Sequence, residues 1–341
     1  MLATPTTTQR PIARSHAKPG GLTPEQIAQF RAGGYVVIDG LLDPENDIDP
    51  IIAEYAGVLD RLAQELFDAG QISSTYDDLP FSERLTKVYG ESGKVHSQYF
   101  DFSLPQAGVT HETPLWTGPA VFSALRHPGI LDAIQSLIGP EIYANPVQHV
   151  RMKPPEHLTP KDATTGLPQL GASPWHQDSG VVTEDADETE IVTVWFPLTD
   201  ATVENGCLAV VPRHAEDGLL THCPSGLGLH IPEDLFHTEE EIPLPMPRGS
   251  VLFMHRLTPH RSFSNTSDHV RWSFDLRYNP IGQPTGRAAF PGFIARSRRL
   301  PATELHDPAE WNRRWLETRA ILAESENPRF NRWDGDSPVC A

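Results

Sequence analysis

The order of apolar and polar positions divides the chain into a helical first third, a long run of short strands and a helical end. Thr23-Pro24-Glu25-Gln26 supplies a hydroxyl N-cap, proline at the first helical position and Gln three residues after the cap, so a helix starts there and should stop at Gly33-Gly34. Tyr35-Val36-Val37-Ile38, closed by Asp39-Gly40, predicts a strand and a turn. Asp49-Pro50 opens a longer amphipathic helix on which Ile52, Tyr55, Leu59, Leu62 and Leu66 recur at helical spacing, with Gly70 placed to end it. Between Ser73 and Gly118 the pattern weakens. It predicts a strand over 94–102 within polar loop, of the kind that often forms lids or binding loops. Short helices near 120–126 and 128–137 precede Gly139-Pro140, after which the pattern turns to β. Segments near 141–153, 173–179, 190–198, 207–212, 250–255, 258–265 and 269–279 are short, rich in Val, Ile, Phe and Trp, and separated by turn residues. Asp307-Pro308-Ala309-Glu310 starts a last helix with Trp311, Trp315 and Leu322 near one face. The predicted class is mainly β with flanking helices (α+β), a two-sheet roll with the N-terminal helices packed outside. Residues 1–21 predict a mobile tail, 22–282 the main domain, and 283–341 a C-terminal extension with one helix.

Composition narrows the function classes. With 341 residues, 38% of them hydrophobic, the chain buries a full core and is not disordered over most of its length. Its 33 prolines and 25 glycines fit many turns rather than a helical bundle. The net charge of −18 gives no basis for general attraction to nucleic acid or to an anionic membrane. Cys207, Cys223 and Cys340 are sparse, odd in number and without short spacing, so they read as free thiols in a reducing compartment. No apolar run spans a bilayer and the N-terminus lacks the apolar segment of a signal peptide. A cytoplasmic protein acting on a small molecule is the expectation, with homo-oligomerisation left open.

The chemistry concentrates in Ser173-Pro174-Trp175-His176-Gln177-Asp178-Ser179-Gly180. On a strand, His176 and Asp178 point to the same face and can hold one ion. A tight site needs a third ligand, and His260, 82 residues after Asp178, is the candidate in the late β region. Two histidines and one carboxylate on one side of a metal form the facial triad of non-haem Fe(II) oxygenases. An H-x-D pair alone equally describes a surface or core pair, and His260 is one of 15 histidines. In the following strand Arg271, Ser273, Asp275 and Arg277 share one parity, and Val270, Trp272, Phe274, Leu276 and Tyr278 share the other. If the polar face looks into the roll, a buried guanidinium needs an anion, and a dicarboxylic cosubstrate would serve. The alternative is that Arg271 and Arg277 pair with Asp275 or face solvent.

With these residues in place the sequence resembles the phytanoyl-CoA dioxygenase family of Fe(II)/2-oxoglutarate-dependent oxygenases. The family's marks are H-x-D, a distal His and an Arg eleven residues after it, and His176, Asp178, His260 and Arg271 match all four. The resemblance runs from about Leu22 to Pro280. It passes through Phe30-x-x-x-Gly34-Tyr35-Val36-Val37-Ile38, Val150-Arg151-Met152-Lys153-Pro154, Asn205-Gly206-Cys207-Leu208 and Asn265-Thr266-Ser267. It implies a double-stranded β-helix, the cupin-like jelly roll, with Fe(II) on His176, Asp178 and His260 at its mouth and with 2-oxoglutarate and O2 as cosubstrates. It further implies that Ser262 helps Arg271 hold the far carboxylate of 2-oxoglutarate, that Trp195 lines that pocket, and that His149 or Arg151 contacts cosubstrate or substrate. Val147, Gln98 and Arg277 are the expected substrate contacts, alongside the 73–118, 155–172 and 216–241 loops. One departure is Pro212-Arg213-His214, where relatives tend to read Pro-Gly-Ser/Thr-His.

The implied reaction is hydroxylation, or another oxidation such as desaturation or ring closure, of an unactivated C–H bond in a metabolite or natural-product intermediate, releasing succinate and CO2. Asp178 stands where related halogenases leave Gly or Ala for chloride, which argues against chlorination. The rival readings are a metal-dependent β-roll enzyme that does not use 2-oxoglutarate and a non-catalytic β-roll binding module. His255, Trp311, Trp315 and the Arg296–Arg299 cluster read as structural or solvated.

Overall fold

The computed structural model describes residues 12–18, 20–214, 217–226, 228–326 and 328–340. In chain order the elements are β1 (Arg14–His16), α1 (Pro24–Gly33), β2 (Tyr35–Asp39), α2 (Asp49–Asp68), α3 (Phe81–Ser92), α4 (Ser97–Phe100), α5 (Pro119–Leu125), α6 (Pro128–Ile138) and β3 (Glu141–Lys153). There follow β4 (Val192–Pro197), β5 (Leu208–Val210), β6 (Cys223–Ser225), β7 (Gly228–His230), β8 (Ile242–Leu244), β9 (Val251–His255), β10 (His260–Ser262), β11 (Arg271–Pro280), β12 (Phe293–Ser297) and α7 (Pro308–Glu324). A seven-stranded sheet in the order β1-β2-β9-β4-β11-β3-β12 faces a smaller one, β10-β5-β8, and β6 pairs with β7. All pairings are antiparallel except β1 with β2. The expected α+β roll is the observed architecture.

Strand alternation explains how the large sheet is covered on both faces. Tyr35, Val37, Trp195, Leu252 and Met254 pack inward against Leu208, Val210, Ile242 and Leu244 of the small sheet. Val36, Ile38, Val194, Phe196, Phe253, Phe274 and Leu276 pack outward with the helices. Helix α1 starts with the expected reciprocal cap: Thr23 Oγ1 accepts from the Gln26 N–H, and Gln26 Oε1 accepts from the Thr23 N–H at 2.8 Å. It ends at Gly34, whose φ of +76° is a left-handed cap. On α2 the apolar stripe Ile51, Tyr55, Val58, Leu59, Leu62 and Leu66 is buried, and Trp311 and Trp315 of α7 complete the outer core.

Several expectations are corrected. The predicted mobile tail covers residues 1–11 and 19, which lie outside the described residues, but Arg14–His16 forms β1, tied down by Arg14 on Asp39. The segment 94–102 holds no strand: α3 ends just before it and the short α4 lies within it, with Phe100 and Phe102 buried. The predicted strand over 173–179 reduces to one bridge, His176 with His260. The extension after residue 282 contributes β12 to the large sheet as well as a helix. Cys223 and Cys340 are not free thiols but form a disulfide, and only Cys207 is free, and buried. With that pair bonded, cysteine usage does not point to a reducing compartment.

Candidate active site

His176 and His260 exchange both backbone hydrogen bonds, at 3.0 and 2.9 Å, so the two imidazoles start from paired positions and their ring centroids lie 4.1 Å apart. Each ring is fixed by the same device. His176 Nδ1 lies 2.9 Å from the Pro174 carbonyl and His260 Nδ1 3.0 Å from that of Thr258. A carbonyl only accepts, so both Nδ1 atoms carry the proton and both Nε2 lone pairs are free for a cation. Burial, with His260 adjacent, pushes His176 down to about 3, so the ring stays neutral. Asp178 opens the turn after the bridge, and one ligand atom from each of the three residues lies within 4.8 Å of the others.

The Asp178 carboxylate is fully oriented before any ion arrives. Oδ1 accepts from Arg277 Nε at 3.1 Å and from Nη2, and Oδ2 accepts from the Thr193 hydroxyl. Burial alone would favour the neutral acid, but the Arg277 charge overrides it and, with the Thr193 hydrogen bond, holds Asp178 well below the usual carboxylate range. Two imidazoles with Nδ1 engaged by carbonyls and one fixed carboxylate on one side of a point suit a divalent transition metal with open positions.

Beside the triad lies a cavity of about 170 Å³ lined by His176, His260, Trp195, Ser262, Arg271 and Arg151 among others. The guanidinium of Arg271 is buried, sits 5.6 Å from the Trp195 ring centroid, donates from Nη1 to Ser273 and leaves Nε without a partner. Gln98 reaches the cavity from α4 while its amide nitrogen is spent on the carbonyls of Ser103 and Pro114. Leu170 and Gly171 come from the 155–172 loop, whereas no described residue of 216–241 lines this cavity.

Three expected contacts are not among its lining residues. Val147 packs with Val182, Ala186 and Ile191. His149 pairs through Nδ1 with Asp101 at 2.7 Å. Arg277, expected at the substrate, is turned onto Asp178 and the Val147 carbonyl instead. Arg277 does keep the inward face, standing opposite Thr193 as Asp275 stands opposite Trp195, but there its guanidinium is taken up by Asp178.

The family model for phytanoyl-CoA dioxygenase (PhyH) matches residues 30–273, a span that includes the triad, Ser262 and Arg271. The chain belongs to the phytanoyl-CoA dioxygenase family. Relatives include phytanoyl-CoA dioxygenase domain-containing protein 1 of Danio rerio, 25% identical over 73% of this chain and 87% of that protein. Phytanoyl-CoA dioxygenase of Arabidopsis thaliana is 24% identical over 75% of this chain and 88% of that protein. Among solved structures, one described as a non-heme monooxygenase, ThoJ in its apo form, superposes with a TM-score of 0.53 at 16% identity, over 87% of this chain and 98% of that one. That likeness concerns the fold. Family membership and the His-Asp-His donor set agree on the class, an Fe(II)/2-oxoglutarate-dependent oxygenase.

Within this PhyH-family roll, two residues at the site escaped the sequence reading although strand parity points to them. Lys153 continues the series Asn145, Val147, His149 and Arg151 on β3, and it faces Arg271 in register. Thr193 is two residues before Trp195 on β4, opposite Arg277. His222, whose Nε2 accepts the Gln177 N–H at 2.9 Å, carried no local signal.

Proposed function

We propose that the chain hydroxylates, or oxidises by a related outcome such as desaturation or ring closure, an unactivated C–H bond of a small-molecule metabolite or natural-product intermediate. The observation that carries this reading is the placing, beside one cavity, of a three-residue metal face and a buried arginine that has no carboxylate partner among the described residues. His176, Asp178 and His260 would hold Fe(II), and Arg271 with Ser262 would hold the carboxylate of 2-oxoglutarate remote from the metal. Bound together, Fe(II), 2-oxoglutarate and O2 supply the oxidising equivalent, with succinate and CO2 released.

The chain's own contribution is ligation, orientation and exclusion of water. The Nδ1 hydrogen bonds aim both imidazoles, and Arg277 with Thr193 fixes the carboxylate rotamer. Asp178 fills the third protein position, which disfavours halide binding there, so chlorinated product from the wild type would count against this reading. The outer wall is built by α4 and the Leu170-Gly171 loop, the elements to vary when substrate scope is mapped.

The test is anaerobic reconstitution with Fe(II) and 2-oxoglutarate, followed by the weak visible metal-to-ligand charge-transfer band, in wild type, Asp178→Ala and Arg271→Ala. A band in the wild type that is lost or weakened in both variants is the expected result. Bound iron without a band removes 2-oxoglutarate from the reaction and favours a metal enzyme independent of it. No iron binding at all leaves a binding module.

A further inference from the structure

Lys153, the last residue of β3, stands directly opposite Arg271 on β11, and opposite residues of an antiparallel pair share a face. Both are buried, 5% and 2% exposed, and both line the cavity beside the triad. The ammonium of Lys153 donates to Ser262 Oγ at 2.7 Å and to the Phe263 carbonyl. Ser262 Oγ also accepts the Ser173 N–H at 2.9 Å. Neither cation forms an ion pair with a carboxylate among the described residues, and Asp275 of β11, like Asp178, lies against Arg277. The stem of Lys153 runs where only glycine leaves room: a Cβ on Gly206, whose φ is +89°, would sit 2.9 Å from Lys153 Cδ and 2.6 Å from the Phe263 carbonyl oxygen.

Two neighbouring buried cations without an anion are costly. Burial and the Arg271 charge push Lys153 down to about 6, and burial pushes Arg271 down to about 10. An anion entering the cavity relieves both. We propose that Lys153 is a second cosubstrate-binding cation, forming with Arg271 and Ser262 a cradle that selects 2-oxo acids bearing a second, remote carboxylate. This inference rests on the 2-oxoglutarate reading above. Arg271 offers a planar fork and Lys153 a point charge, which together with one hydroxyl satisfy both oxygens of a carboxylate. A 2-oxo acid without the second carboxylate leaves the cations uncompensated, so Lys153 contributes selectivity as well as affinity.

The competing role for Lys153 is purely structural, a tie from β3 to β10. Calorimetric titration of the Mn(II)-loaded full chain, without oxygen, separates the two. The ligands are 2-oxoglutarate and 2-oxovalerate, in which a methyl group replaces the remote carboxylate. Lys153→Met and Lys153→Gln are expected to weaken 2-oxoglutarate by about 10- to 100-fold, the range of a lost hydrogen bond to a charged group. They should leave 2-oxovalerate within about threefold of wild type, and Lys153→Arg should retain most of the 2-oxoglutarate affinity. Unchanged 2-oxoglutarate affinity in the neutral variants, or equal loss of both ligands, overturns the proposal. A metal-loaded wild type that binds no 2-oxoglutarate overturns the cosubstrate reading itself, and this inference with it.

Discussion

At the scale of single residues, the pair Asp178 and Arg277 sets the energetics of the site. Both are almost fully buried, and the carboxylate is satisfied at both oxygens by Arg277 and Thr193. Removing the arginine strands a buried charge, which costs about 3–5 kcal/mol where measured in other proteins. A divalent cation bound to the carboxylate would restore part of that compensation. Arg277→Met should therefore melt well below wild type as the apoprotein, and added Mn(II) should raise its melting temperature by more than it raises the wild type's. An equal metal-induced rise in the two proteins would mean that Arg277 and the ion do not share the carboxylate. The four family-matched positions, which the structure brings to the rim of one cavity, were legible through the family's fixed spacing of H-x-D, a distal His and an Arg eleven residues on. Lys153 and Thr193 were equally available to strand parity, but a lysine and a threonine carry no motif. Arg277 keeps the inward parity read from the strand, but no sequence signal shows that Asp178 takes up its guanidinium.

At the scale of elements, the C-terminal segment beyond α7 is a strap over the loop that follows Asp178. Trp333 Nε1 donates to the Gly180 carbonyl at 2.7 Å, and Arg332 Nε to that of Val182 at 2.9 Å. Arg287, from the stretch before β12, covers the carbonyl between them, donating to Val181 at 2.6 Å. The His222 ring stacks on Trp333 with centroids 5.4 Å apart, and a Cβ on Gly180 would lie 2.1 Å from that ring. Cys223, next to His222, is bonded to Cys340 across 117 residues of sequence, so the disulfide fastens the strap beside the loop it holds. A crosslink closing a loop of that order contributes at most about 5 kcal/mol in the chain-entropy account. A terminal strap that detaches on its own converts little of this into global stability. Reduction, or Cys340→Ser, should thus leave the melting temperature nearly unchanged while amides of 180–187 exchange faster in hydrogen-exchange mass spectrometry. Unaltered exchange there would show that the side-chain contacts suffice without the crosslink. None of this was legible in advance. Helix caps and strand alternation are local, and they gave α1, α2, β2, β3 and β11 nearly to the residue, whereas the disulfide, the strap and the single bridge of His176 with His260 are encounters between distant segments. In the 73–118 stretch α3 was overlooked although Phe81, Leu85, Val88 and Tyr89 recur at helical spacing, whereas the four-residue α4 is too short to show a period and rests on the burial of Phe100.

At the scale of the whole molecule, acidification sets two effects against each other. The chain carries a net charge of −18, so protonating carboxylates relieves self-repulsion and favours the compact state. Burial acts in the opposite sense on the histidines, since it pushes His96, His222 and His255 down to about 4 each. Unfolded, those rings titrate near their ordinary value of about 6.5. Between that value and about 4 the unfolded chain binds more protons than the folded one, so stability falls as pH falls and the loss is complete below the folded values. For His222 and His255, which are the more deeply buried, the contribution is roughly 1–3 kcal/mol each. Carboxylates begin to protonate only near pH 5, so from pH 7 to 5 the histidines win. Calorimetric melting of the metal-free protein should accordingly move to lower temperature over that interval. His255→Asn, whose amide oxygen can take over acceptance of the Leu257 N–H from Nδ1, should flatten the slope. A melting temperature constant from pH 7 to 5 would show that the buried rings take up protons as readily in the folded protein as in the unfolded one, which is incompatible with a His222 that stays neutral to accept the Gln177 N–H and hence with the geometry that seats the loop beside Asp178.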